Sequence, residues 1–162
     1  IQHDVVIDDK RLAHLVRKCQ ELPGQQLFQY VDDEGQRHGI ESGQVNEYLH
    51  EAMGAEFTAK DFRTWAGTVR AIALMACTPL PEKPSERAFN SQIVAVVKQV
   101  AQQLRNTPAV CRKSYINPVV FLAWRSGELH KIVHADAVTA SERKMERVAL
   151  AFLKRQARRR RT

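Results

Sequence analysis

Residues 58–75 read TAKDFRTWAGTVRAIALM, and the fold turns on whether this stretch is a helix. Its apolar side chains Phe62, Trp65, Val69, Ile72 and Leu74 or Met75 recur every three or four positions, the period of one helical face. Thr58 precedes the run as an N-cap, with Asp61 three residues later as a variant of the capping box. The helix must stop at CTPLPEKP, residues 77–84, because proline removes a backbone donor and clashes with the preceding turn.

On the C-terminal side, Ser85 opens a second helix with Phe89, Ile93, Val96, Val97, Val100 and Leu104 on its apolar face. Thr107 and Pro108 then pair an N-cap with proline at the first helical position. Asn117 and Pro118 repeat that device, and Gly127 closes the helix they start. A last helix runs from Thr139 or Ser141 towards Lys154 and dissolves into RQARRRRT, residues 155–162. On the N-terminal side, Ser42 caps a helix carrying Val45, Leu49 and Met53, which Gly54 stops. LFQYVDDEGQRHGI, residues 27–40, reads as an irregular or hairpin connection around Asp33–Gly35. Asp8 or Asp9 caps the first helix, with Leu12, Leu15, Val16 and Cys19 at helical spacing, and His3–Ile7 reads as a short strand. The expected fold is mainly α with little β. Met53, Met75, Trp65 and Trp124 are expected in its core. We divide the chain into a main part, residues 1–138, and a C-terminal helix with basic tail, residues 139–162.

A chain of 162 residues, 44% of them hydrophobic, can bury a real core. No apolar run approaches the roughly 18 residues that span a bilayer, and no signal peptide is visible, so a membrane partner is not expected. Cys19, Cys77 and Cys111 are odd in number and follow no metal spacing, which points to free, mostly buried thiols in a reducing compartment. His130 and His134 are four apart but lack a third ligand, so no metal is expected. The chain starts at Ile1 in what reads as mid-strand, so we expect a piece of a longer protein.

Charge is segregated. Residues 1–60 carry six basic and eleven acidic side chains, whereas residues 98–131 carry six basic and one acidic, and residues 141–162 nine basic and two acidic. The net charge of +7 therefore arises in the last segment, and the stretch around Tyr115 is locally positive. Such a distribution suits a surface that meets a polyanion. The tail itself can grip phosphates, serve as a solubilising end, or act as a localisation signal in a eukaryote.

Three polar features stand out. Arg63, in the first turn of the central helix, can offer its planar fork to a phosphate, or pair with an acid of residues 1–60. Asn106 lies nine residues before Tyr115 with one helical segment between them, and its amide can donate to a developing phosphorane oxygen or simply serve a turn. Tyr115 is either a core aromatic or a nucleophile. A phenol, with a pKa of about 10, attacks well only where cations favour its phenolate. Arg112 and Lys113 in the preceding turn supply such a field, or they touch DNA backbone.

Taken in order, TAKDFRTW (58–65), a proline-rich connection, a long helix and NTPAVCRKSYINP (106–118) resemble the C-terminal catalytic part of type IB DNA topoisomerases, with the bacterial and poxvirus-like branch fitting best. The resemblance covers about residues 1–130. It implies the helical architecture shared with tyrosine recombinases, and a reaction on double-stranded DNA. Tyr115 would attack a phosphodiester to give a 3′-phosphotyrosyl link and a 5′-hydroxyl. Supercoils would relax by strand rotation before religation, with neither ATP nor metal required. Arg63 matches the arginine that contacts the non-bridging oxygens. Asn106 matches a position that is histidine in many relatives and asparagine in some bacterial ones. Lys60, Arg112 and Lys113 are the expected DNA contacts. A monomer in the bacterial cytoplasm, at nucleoid DNA, is the expected setting. The family also uses an upstream arginine and a lysine general acid, for which this chain offers no counterpart. Poor activity of residues 1–162 alone is therefore expected, since positioned proton transfer contributes about 10²–10⁴-fold.

Two other readings compete. Tyrosine recombinases place histidine three residues before the motif arginine, where this chain has Lys60. A non-catalytic helical DNA-binding module would leave Tyr115 structural and the basic tail as the main contact.

Overall fold

In the computed structural model, residues 8–21, 23–24, 26–54 and 57–159 are described. The strand expected at His3–Ile7 lies outside them. Two compact units divide between Ala59 and Lys60. The architecture is mainly α-helical, with one small antiparallel hairpin among the described residues.

The first unit holds α1 (Lys10–Glu21), the hairpin β1 (Gln29–Val31) and β2 (Arg37–Gly39), and α2 (Ser42–Met53). Asp9 is the cap of α1, its carboxylate accepting from the amides of Arg11 and Leu12 at 2.8 and 2.9 Å. In the hairpin Tyr30 pairs with His38. The turn is tied by Asp32, which accepts from the Glu34 and Gln36 amides and lies 2.6 Å from His38 Nε2. Those hydrogen bonds, His38 first, hold the Asp32 carboxyl below its ordinary value. The cap of α2 is Glu41 rather than Ser42. Glu41 is extended, and its amide donates to Gln44 Oε1 at 2.9 Å, so the glutamine three residues on closes the turn that Ser42 enters. Gly54 ends α2 in the left-handed conformation at φ 62°. Neither helix of this unit buries a residue, and Met53, expected in the core, is exposed.

The second unit contains α3 (Ala59–Ala76) from its second residue onward, α4 (Glu86–Leu104), α5 (Pro108–Val110), a π-helical turn (Cys111–Tyr115), α6 (Val119–Arg125), α7 (Glu128–Ile132), α8 (Ala135–Ala140) and α9 (Glu142–Arg159). Ile72 and Met75 of α3 pack with Ile93, Val97 and Val100 of α4, Trp124 of α6, Leu129 of α7 and Phe152 of α9. Fully burying each large side chain of this kind is worth about 1.5–3 kcal/mol. Trp124 is placed by two contacts, its indole N–H donating to the Thr78 carbonyl at 2.8 Å and its ring meeting Phe89 edge-on. The buried cluster thus joins the proline-rich exit of α3 to α4 and α6. His130 also meets the Thr78 carbonyl, at 2.9 Å.

Several sequence expectations change here. Phe62 is half exposed, because the buried face of α3 starts only at Gly67 and Thr68. Of the three thiols only Cys111 is buried, while Cys77, just past the end of α3, is exposed. The last helix does not dissolve near Lys154. Ser141 caps it by accepting from the Lys144 amide at 3.2 Å, and it continues to Arg159, with Met145, Ala149, Phe152 and Gln156 buried along one face.

Candidate active site

The end of α4 creates the first element of the site. Arg105 adopts the left-handed conformation at φ 54°. Its amide reaches back to the Gln102 carbonyl, and the Asn106 amide to that of Ala101 at 3.0 Å. This double closure reverses the chain and leaves the Leu104 carbonyl outside the helical ladder, as one of the orphan acceptors of a helix end. Two side chains occupy it. Arg63 donates through Nη2 at 2.7 Å, across 41 residues of sequence, and Asn106 donates through Nδ2 at 3.3 Å. The guanidinium and the amide therefore meet at one oxygen. A cation also suits the negative end of the α4 dipole.

Thr107 then caps α5, accepting from the Val110 amide at 3.3 Å, with Pro108 at the first helical position as its missing donor allows. The next turn widens: the Ile116 amide bonds to the Cys111 carbonyl at 3.1 Å, five residues back, making a π-helical turn that ends at Tyr115. Such turns are uncommon and often mark functional positions. Tyr115 is half-buried, and the Arg63 guanidinium carbon lies 5.2 Å from its ring centre, within cation–π range. Cys111, at the start of the turn, is fully buried; burial pushes its thiol up, and the nearby Arg63 charge offsets this only in part.

One face of α3 holds the tyrosine segment by its backbone. Thr68 is buried, donating its hydroxyl to the Tyr115 carbonyl at 3.3 Å and accepting from the Asn117 amide at 3.1 Å. Gly67 is in closer contact still: a Cβ there would sit 2.7 Å from the Tyr115 carbonyl oxygen. Thr64 donates to the Lys60 carbonyl at 3.0 Å and lies 3.5 Å from that of Ser114. Residues 63, 64, 67 and 68 are neighbours on a helical surface, so a single face of α3 carries both the guanidinium and the supports of the tyrosine backbone. Sequence reasoning missed Gly67, Thr68 and the Leu104 carbonyl. The one available signal was a glycine inside a strong helical pattern, a position that costs about 1 kcal/mol relative to alanine and so asks for a packing reason.

Arg63, Asn106 and Tyr115 thus come together. Lys60, Arg112 and Lys113 are exposed, and among the described residues none of the three has a carboxylate partner. A guanidinium and an amide beside a phenol can hold two oxygens of a tetrahedral or pentavalent anion while the phenol attacks its centre.

The sequence is similar to that of known proteins. Residues 1–131 match the family described as the eukaryotic DNA topoisomerase I catalytic core, a span that includes all three converging side chains. A protein of Acanthamoeba polyphaga mimivirus named DNA topoisomerase 1B is 33% identical over 121 residues, covering 72% of this chain and 34% of the viral one. The chain therefore spans about a third of that relative's length. On the match across residues 1–131, the chain belongs to the type IB DNA topoisomerase family, within its catalytic core.

Proposed function

We propose that this chain carries the strand-cleaving chemistry of a type IB topoisomerase, with Tyr115 as nucleophile. The observation that supports this most is the shared acceptor: Arg63 and Asn106 converge on the Leu104 carbonyl while the same guanidinium lies 5.2 Å from the Tyr115 ring. The Tyr115 phenol oxygen attacks a DNA phosphorus, the bond to the 5′-oxygen breaks, and the strand leaves as a 5′-hydroxyl once that oxygen is protonated. The phenol proton goes to solvent or a base. Arg63 exchanges the carbonyl for non-bridging phosphate oxygens, a trade that gains a charge-assisted bidentate pair. Asn106 donates to the same phosphorane without adding charge. Religation is the reverse attack, and the phosphotyrosyl bond conserves the energy, so neither nucleotide nor metal enters the cycle. Exposed Lys60, Arg112 and Lys113 grip the backbone of duplex DNA and set its register.

A supercoiled-plasmid assay on the intact protein tests the proposal. We expect relaxation without ATP, on plasmids of unrelated sequence, and its loss in Tyr115→Phe. Relaxation that persists in Tyr115→Phe overturns the assignment, and exchange confined to paired specific sites makes the protein a recombinase instead.

A further inference from the structure

Helix α9 lies beyond the span matched by the family, and the chemistry proposed above makes no use of it. Its buried face is Met145, Ala149, Phe152 and Gln156. At about 3.6 residues per turn, the line diametrically opposite is Arg143, Arg147, Lys154 and Arg158, all exposed. Among the described residues none of these four has an ion-pair partner, whereas Arg159, on a different side of the helix, pairs with Glu128. The two acids of the helix, Glu142 and Glu146, project to another side, and Glu146 accepts from the Trp65 indole at 3.1 Å. Within the stripe like charges stand four apart at 143/147 and at 154/158, so its members repel rather than pair with one another. The charge of the stripe complements an anionic surface.

We propose that this outer face of α9 is a second contact for the backbone of duplex DNA. From Arg143 to Arg158 the stripe runs about 22 Å, at 1.5 Å per residue. A duplex presents about a dozen phosphates over that length, counting both strands. The Trp65–Glu146 bond fastens the first turns of α9 to α3 two residues from Arg63, so the helix that carries the stripe is anchored to the helix that bears the guanidinium of the candidate site. The contact proposed is to phosphate, which carries no sequence information, so it acts alike on unrelated duplexes. It rests on the functional reading only in taking DNA as the polyanion.

The test compares the intact protein with its R143Q/R147Q/K154Q/R158Q variant, glutamine being a good helix former at exposed positions. Binding to two unrelated 30-base-pair duplexes is followed by fluorescence anisotropy over a range of salt concentrations. We expect the slope of log affinity against log salt to fall by about three to four, equally for both duplexes. Helix content by circular dichroism, and covalent adduct at saturating DNA, should not change. An unchanged slope and affinity overturn the proposal. So does a loss seen only on vesicles containing 30% anionic lipid, which would assign the stripe to a membrane surface. If the slope falls while Tyr115→Phe still forms the adduct, the contact stands and the nucleophile assignment falls. If Tyr115→Phe abolishes the adduct and the slope is unchanged, the reverse holds.

Discussion

Arg63 is where the chemistry concentrates. It is exposed as a residue, yet it reaches the Leu104 carbonyl, stands over the Tyr115 ring and is felt at the buried Cys111 thiol. Removing one such donor from a developing anion costs about 10²–10³ in rate. We therefore expect Arg63→Ala to slow single-turnover cleavage of a suicide duplex by about that factor. Arg63→Lys should recover little of it, since an ammonium lacks the planar fork. Asn106→His should retain cleavage, because either side chain can donate to the same oxygen; a loss as deep as that of Arg63→Ala would deny Asn106 its role. Cys111 offers an independent reading of the same pocket. Its burial raises the thiol above the ordinary value, so less thiolate is present at neutral pH. Iodoacetamide should modify exposed Cys77 well before buried Cys111, as peptide mapping would show.

At the scale of elements, α3 and the tyrosine turn are locked by backbone proximity. Gly67→Ala would set a methyl group 2.7 Å from the Tyr115 carbonyl oxygen, against backbone that cannot swing away. Overpacking of this kind costs about 1–3 kcal/mol. We expect a lower Tm together with slower cleavage, whereas a neutral effect on both would mean the two elements are free to part. These elements were partly legible in the sequence. The caps at Asp9, Ser85 and Thr107, the proline-rich stop and the stretch from Asn106 to Tyr115 are local signals, and the structure follows them. What could not be read depends on individual backbone atoms and on partners far along the chain. The Leu104 carbonyl is a backbone atom, invisible to residue patterns, and the π-helical turn depends on one amide choosing a carbonyl five residues back. Phe62 fitted the apolar period of α3, but the packing that buries this helix begins one turn later. The length of α9 was underestimated because arginine-rich sequence reads as tail, although arginine is a good helix former and Phe152 and Gln156 anchor the late turns.

Across the whole molecule the two units differ in how much they bury. Every core residue of the described chain falls between Ala71 and Phe152, within the second unit. The first unit leaves Leu12, Leu15, Phe28, Tyr30, Val45 and Tyr48 exposed. Hydrogen exchange should therefore separate them: amides of α3, α4 and α6 should exchange only through global unfolding, and those of α1 and the hairpin through cheaper openings. Uniform protection across both units would contradict that division. The central claim concerns one covalent bond. It is tested most directly by trapping the intact protein on a suicide duplex, digesting with trypsin and sequencing the DNA-linked peptide by mass spectrometry. We expect the peptide of residues 114–125, with a nucleotide joined through its 3′-phosphate to Tyr115. Linkage to any other residue, or strand cleavage with no linked peptide, would contradict it.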